Sequence, residues 1–344
     1  MKDKILEEDL ENFCSNRYEW MDELDGKNVL ITGITGLIGS QITKAILSYN
    51  DKFNTNINVI GLVRNKAKAF NIFQDNEKIQ FIYGDVVEPI KTDKTVDYII
   101  HCANTTSSKE YVDKPVETIK TIVSGTENLL ELAKNQNNCS FVYLSSMEIY
   151  GVTNENLDFI MEDDGGYINV ISPRSSYSEG KRLAECLCAA YAKEYNLNVK
   201  IARLAQVFGA SVSFEDNRIF AQLAKCAIEK KNFVMRTLGN SYGNYCYTLD
   251  AVKALLMLLV KGEKGEAYNV VNEDTYIRIG EMAEMVALNN GFEVVYDIQD
   301  SVYAPDVKMH LSSKKINHLG WRATIGLEEM YERMIKSMKY RLEK

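Results

Sequence analysis

Short runs dense in apolar and β-branched residues recur at 28–32, 58–63, 79–83, 98–101, 141–145 and 199–203, each with the length of a strand. Between them the apolar positions change period. Ile42, Ile46 and Leu47 fall on one stripe within 38–49, and Ala184, Leu187, Cys188 and Tyr191 do so within 177–196. A third helical stretch covers 116–136. This alternation predicts a parallel sheet with helices on both faces, because each crossover must bury its own apolar stripe. Beyond Gly209 the pattern loosens into mixed segments, which predicts a smaller lobe. The stretch 251–260 is apolar enough to return as a helix to the first lobe. Ile5, Leu6, Leu10 and Phe13 make the first 25 residues an amphipathic helical extension, expected to pack outside the core.

The expected fold class is therefore α/β, a doubly wound parallel sheet with a smaller C-terminal α/β lobe. Its division is 1–25 for the extension, 26–206 with about 242–266 for the sheet domain, and about 207–241 with 267–344 for the second lobe. A chain of 344 residues is long enough to bury the core of such a two-lobed unit. The net charge of −8 argues against a general nucleic-acid binder. The longest wholly apolar run, 254–260, falls far short of the ~20 residues that span a membrane. Seven cysteines include no C-x-x-C pair, and Cys186 and Cys188 point to different faces of their helix. Reduced thiols, an acidic start unlike a secretory signal, and no metal-binding cluster together predict a cytoplasmic protein that needs no metal.

Two motifs carry chemistry. The strand at 28–32 runs into Gly33, Gly36 and Gly39, spaced G-x-x-G-x-x-G, and a helix follows. A tight glycine turn that opens a helix aims backbone N–H groups and a positive dipole at an anion, here a dinucleotide pyrophosphate. The second motif is Tyr177-Ser-Glu-Gly-Lys181, behind a strand that ends in Ser145-Ser146. Tyr177 and Lys181 are four apart and share a helix face. An ammonium there is expected to favour the phenolate, so that the tyrosine can take a proton from a sugar hydroxyl as hydride leaves. At the end of the second strand stands Arg64, followed by Lys66 and Lys68, where NAD-binding folds often place a carboxylate. That favours NADP(H), with NAD(H) possible.

With these residues and several more in register, the chain resembles an extended short-chain dehydrogenase/reductase of the nucleotide-sugar epimerase/dehydratase family nearly end to end. The further likenesses are Thr32 to Gly39, Gly84-Asp85, His101-Cys102-Ala103, Gly125-Thr126-Glu-Asn128-Leu-Leu, Arg203-Leu-Ala-Gln206-Val-Phe-Gly209 and Leu319-Gly320-Trp321. The resemblance implies a Rossmann-type cofactor domain and a nucleotide-diphosphate sugar as substrate. It assigns cofactor contacts to Gly33, Thr35, Gly36, Leu37, Ile38 and Gly39, to Arg64, to Asp85 and Val86 near adenine, and to Cys102, Ala103, Tyr177 and Lys181. Catalysis falls to Ser146, Tyr177 and Lys181, with Glu148 as a possible base at C5. Gln206, Arg218 and Tyr245 fall on the substrate side.

The resemblance leaves the reaction open. Glu148 resembles the base of 4,6-dehydratases, yet Met147 stands where thymidine-diphosphate dehydratases carry an acid. The stretch from Pro173 to Arg182 is most similar to UDP-glucuronate decarboxylases, and Asp216-Asn-Arg218 resembles their D-G-R element. Their arginine seven residues before Asp250 is replaced by Gly243, and Gln206 and Thr121 stand in for two family asparagines. Epimerisation or dehydration through transient C4 oxidation, decarboxylation, NADPH-dependent reduction of a keto-sugar and a non-catalytic dinucleotide sensor are the open readings. The helices near 116–136 and 177–196 match the pair that joins many relatives into homodimers. Activated sugars for a bacterial polysaccharide are the expected product class.

Overall fold

The computed structural model describes residues 3–74, 76–104, 108–298 and 306–343. The chain opens with α1 (Lys4–Phe13) and α2 (Glu19–Asp22). There follow β1 (Asn28–Thr32), α3 (Leu37–Phe53), β2 (Asn58–Val63), α4 (Lys66–Phe73), β3 (Ile79–Tyr83) and β4 (Tyr98–His101). Next come α5 (Ser108–Asp113), α6 (Pro115–Lys134), β5 (Ser140–Ser146), α7 (Ser176–Glu194), β6 (Asn198–Leu204), β7 (Gln206–Phe208), α8 (Ile219–Glu229), β8 (Phe233–Met235) and β9 (Tyr242–Tyr247). The C-terminal part holds α9 (Thr248–Lys261), β10 (Ala267–Val270), β11 (Asn272–Arg278), α10 (Ile279–Asn290), β12 (Val294–Tyr296), β13 (Lys308–Met309), α11 (Lys314–His318) and α12 (Leu327–Leu342).

Seven parallel strands form the main sheet in the order β10-β6-β5-β4-β1-β2-β3. The chain winds one way through β1, β2 and β3 and the other way from β4 onward, so the order reverses between β1 and β4. Crevices at the carboxyl ends of such reversed strands are where open α/β sheets bind ligands. Helices cover both faces, as sheet strands buried on both sides require. One layer packs α3, α9 and α2 against Val29, Ile31, Val142 and Ala202. The other packs α6 and α7 against Leu30, Ile99, Phe141 and Ile201.

Two boundaries differ from the sequence expectation. Strand β10 pairs with β6 from Ala267–Ile201 to Val270–Leu204, so residues 267–270 complete the main sheet rather than joining the second lobe. The N-terminal extension is two helices, and it is part of the core. Phe13, Trp20, Met21 and Leu24 are buried in the α3–α9 layer, and Tyr49 donates a hydroxyl bond to the Tyr18 carbonyl. The amphipathic spacing was the same either way; what it could not show is that α3 and α9 leave an apolar face for it to cover. The second lobe gathers α8, α10 and α12 with Phe208, Phe220, Tyr245 and Tyr247 around a core of its own.

Candidate active site

The glycine turn sits at the carboxyl end of β1. Gly33 has φ +63°, and a Cβ built there would lie 2.8 Å from the Ala103 backbone. Only glycine lets β1 and the end of β4 approach this closely. Gly36 heads α3 and no side chain caps that helix, so its first-turn N–H groups face the crevice without a side-chain acceptor. Thr35, Leu37 and Ile38 are half-buried, and Leu37 reaches the core of the second lobe. These features fit a dinucleotide, because a pyrophosphate needs open N–H donors and no Cβ in its path.

Thr32 and His101 close the floor beneath it. The Thr32 hydroxyl lies 2.8 Å from His101 Nδ1 and accepts the Ala103 N–H at 3.2 Å. Burial, with help from the nearby Lys181 charge, pushes the His101 imidazole down to about 3, so it is neutral at pH 7. Val86 is buried under α6, where Asn128 donates to its carbonyl at 2.8 Å and Gly125 leaves it room. At the ends of β2 and β3, Arg64 and Asp85 form an exposed ion pair at 3.3 Å. The two residues assigned to the 2′-substituent and to adenine therefore hold each other.

The chemistry-bearing side chains meet at the end of β5. Tyr177 and Lys181, one turn apart on α7, are both buried. Lys181 Nζ donates to the Leu144 carbonyl at 2.5 Å and lies 5.9 Å from the Tyr177 ring centre. Burial pushes this ammonium down to about 7 against the opposing charge of Glu185. Tyr177 is pushed up to about 12, first by burial and then by the Glu148 carboxylate, while hydrogen bonds with Ser146 and Tyr111 act the other way. In the chain by itself burial dominates both shifts, so the phenol is raised rather than lowered, and Lys181 donates to a backbone carbonyl.

Glu148 lies in the 3-10 turn after β5, with Ser146 accepting its N–H at 3.2 Å. Its carboxylate takes Arg174 at 2.9 Å and the Ser178 hydroxyl at 3.2 Å. Arg174 in turn sits 5.0 Å over the Tyr111 ring, and Tyr111 stacks on Tyr177 at 4.3 Å and 11°. Arg174, Ser178 and Tyr111 were not assigned from sequence. Arg174 stands within the Pro173–Arg182 stretch, and only the fold shows which carboxylate it faces. Arg182, the last residue of that stretch, holds the carbonyls of Ile149 at 2.7 Å and Gly166 at 2.8 Å, which is a structural duty.

The substrate-side residues divide. Gln206, half-buried on β7, keeps its Oε1 buried without a partner. Arg218 is gripped by Asp216 at 2.6 Å, ahead of α8. Tyr245 does not line the crevice: it is 3% exposed and packs on Phe208 at 5.7 Å in the second-lobe core. Alternation along β9 turns it inward. Met147 packs at the edge of a small cluster with Ile149 and Leu311, and a Cβ at Gly243 would meet nothing. Among the described residues no cluster of His, Cys, Asp or Glu could hold a metal, and no helix is long and apolar enough to cross a membrane.

Residues 29–271 match the model of the NAD dependent epimerase/dehydratase family. The chain belongs to this family. UDP-glucuronic acid decarboxylase 1 of Danio rerio is 28% identical over 354 residues, covering 100% of this chain and 80% of that protein. UDP-glucuronic acid 4-epimerase from Bacillus cereus, solved with UDP-glucuronic acid and NAD, has a TM-score of 0.77 at 21% identity, covering 91% of this chain and 99% of that one. RMD from Pseudomonas aeruginosa, solved with NADPH, has a TM-score of 0.72 at 21% identity, covering 92% and 99%. Membership of the epimerase/dehydratase family brings a nicotinamide cofactor, and these neighbours between them carry both kinds.

Proposed function

We propose that this epimerase/dehydratase family member works on a nucleotide-diphosphate sugar by transient oxidation at C4, followed by epimerisation or elimination. The observation that carries the reading is the meeting of Ser146, Tyr177, Lys181 and Glu148 at one strand end, beside the glycine turn. When bound, the cofactor supplies a hydride acceptor at the sugar's C4 and a positive charge beside the phenol. Ser146 hydrogen-bonds the C4 oxygen and Tyr177 takes its proton. Lys181 steadies the resulting charge distribution from the same helix face. Glu148, held by Arg174 and Ser178, would serve as the base for the C5 proton, which a C4 ketone acidifies.

A second reading is decarboxylation, favoured by the named activity of relatives that align along the whole chain. In it the C4 ketone makes a sugar acid β-keto, and carbon dioxide leaves from C5. Gly243 removes the cation that such enzymes are expected to use, which is why this reading stands second. Arg64 supports NADP(H), but a 2′-phosphate would have to displace Asp85 from it. We propose a homodimer joined through α6 and α7, whose outer faces leave Val116 and Ile119 and Leu183 exposed.

The test is incubation with UDP-glucose, UDP-glucuronate and thymidine-diphosphoglucose, each with NAD+, NADP+ or NADPH, followed by mass spectrometry and proton NMR. Unchanged mass with altered stereochemistry means epimerisation. Loss of water means elimination, and loss of carbon dioxide means decarboxylation. Stoichiometric consumption of NADPH would replace the cyclic reading by net reduction. Tyr177→Phe should cut turnover by at least about a thousandfold, while dinucleotide affinity stays within about twofold of wild type. Surviving turnover in that variant sinks the mechanism.

A further inference from the structure

Two adjacent strands of the main sheet end in buried polar atoms that nothing in the protein satisfies, Asn104 just after β4 and Ser145 on β5, and Gln206 on β7 of the second sheet keeps another. Asn104 differs from the other buried side chains. Among the described residues it alone leaves two such atoms, the donor Nδ2 and the acceptor Oδ1, without a partner. A buried amide left this way is costly, so a native protein keeps one only for a reason.

Its place in the fold supplies the reason. Ala103, one residue before it, touches the Gly33 turn and donates to Thr32. Extending the β4–β5 register from the His101–Tyr143 pair puts Asn104 level with Ser146. It also lies at the point where the strand order reverses. An amide here sits between the phosphate-binding turn and the proton-transfer residues. Its side-by-side donor and acceptor match a group that can both accept and donate at adjacent atoms, as a pair of neighbouring hydroxyls does.

We infer that Asn104 is a ligand-binding residue of the crevice, its amide taking a pair of ring hydroxyls. This rests on the proposed function, since both the nicotinamide ribose and the substrate's hexose present such a pair. Asn104 is a positioning residue in that reading: it fixes the ring that bears or faces C4 without moving a proton itself.

The experiment compares wild type with Asn104→Ala, which deletes the amide, and Asn104→Leu, which fills its space with an apolar group. NADH and NADPH are titrated by fluorescence, and UDP-glucose and UDP-glucuronate are titrated calorimetrically onto the cofactor-loaded protein. Tm is measured without ligand. We expect Asn104→Ala to weaken one of the two ligand classes by about tenfold, the worth of one or two hydrogen bonds. Loss on the dinucleotide titration identifies the ribose, and loss confined to the sugar titration identifies the hexose. We expect the Tm of ligand-free Asn104→Leu to equal or exceed that of wild type, because the unpaired amide is gone. Unchanged affinity for both classes in Asn104→Ala overturns the inference, and so does a lowered Tm in both variants with binding intact. Wild type that binds no nicotinamide dinucleotide overturns the reading of the crevice and this inference with it.

Discussion

Lys181 is buried at the floor of the site, and the ligand-free chain pushes its ammonium down from 10.5 to about 7. Below pH 7 the folded and unfolded states both hold this proton, and the folded state carries the full penalty of a buried charge. Between about 7 and 10.5 the unfolded chain binds one more proton than the folded one. Stability therefore rises with pH across that window, by up to about 1.4 kcal/mol per pH unit from this group. Lys181→Met should flatten the rise, be more stable than wild type below pH 7, and converge on it toward pH 10.5. Urea unfolding of the cofactor-free protein across that range measures this, and parallel curves would refute it. The neighbouring Glu148 carboxylate opposes ionisation of Tyr177. Glu148→Gln should therefore move the phenol's titration to lower pH, since the like charge is gone. Single-turnover cofactor reduction at 340 nm, with a UDP-sugar that wild type oxidises, gives that pH profile. An unmoved limb, or one moved upward, would show that Glu148 does not act on the phenol.

Helix α1 is held by charge as well as by packing. Asp9, buried at its centre, accepts from the Tyr247 hydroxyl at 2.7 Å and pairs with Arg333 of α12 at 2.7 Å. Burial raises the Asp9 carboxyl despite both partners, so the folded state tolerates the charge only because they are present. Arg333→Ala strands a buried carboxylate and should cost about 3–5 kcal/mol. Asp9→Asn with Arg333→Met should recover most of it, because the uncompensated charge is removed from both sides. Thermal melts of the single and double variants decide this; additive losses would mean the pair is not coupled. The same helix shows where sequence reading stops. Strands 28–32, 58–63 and 98–101 were legible to the residue because the parallel sheet buries both their faces and leaves continuous apolar runs, and the edge strand 79–83 was legible from its aromatic and β-branched residues despite its exposure. The stripe of α1 was legible too, but its destination was not. Asp9 reads as surface charge until the fold brings Tyr247 and Arg333 across more than 200 residues. Tyr177, Lys181 and Ser146 lie within short, ordered motifs, so the sequence could propose them together. Arg174 and Tyr111 act through contacts between separate elements, and no spacing announces them.

At the scale of the whole molecule, the second lobe and the sheet meet over the crevice, with Leu37 from α3 packed into the second-lobe core. The glycine turn between β1 and α3 is closely packed on the end of β4, since a Cβ at Gly33 would strike the Ala103 backbone. On the opposite side of this arrangement α6 and α7 pack together over the sheet and leave Val116 at 57%, Ile119 at 42% and Leu183 at 49% exposure. Isolated exposed apolar residues need no explanation, but three on two adjacent helices form a strip that a second copy could cover. A two-fold pairing would set α6 and α7 of each copy into one four-helix layer. It would also stiffen α7, the helix that carries Tyr177 and Lys181. Ile119→Glu with Leu183→Glu should place four carboxylates in the middle of that layer and separate the copies. Sedimentation equilibrium should then show a dimer for wild type and a monomer for the double variant, with the far-ultraviolet spectrum unchanged. A wild type that stays monomeric at micromolar concentration, or a double variant that stays dimeric, would rule out this face as the interface.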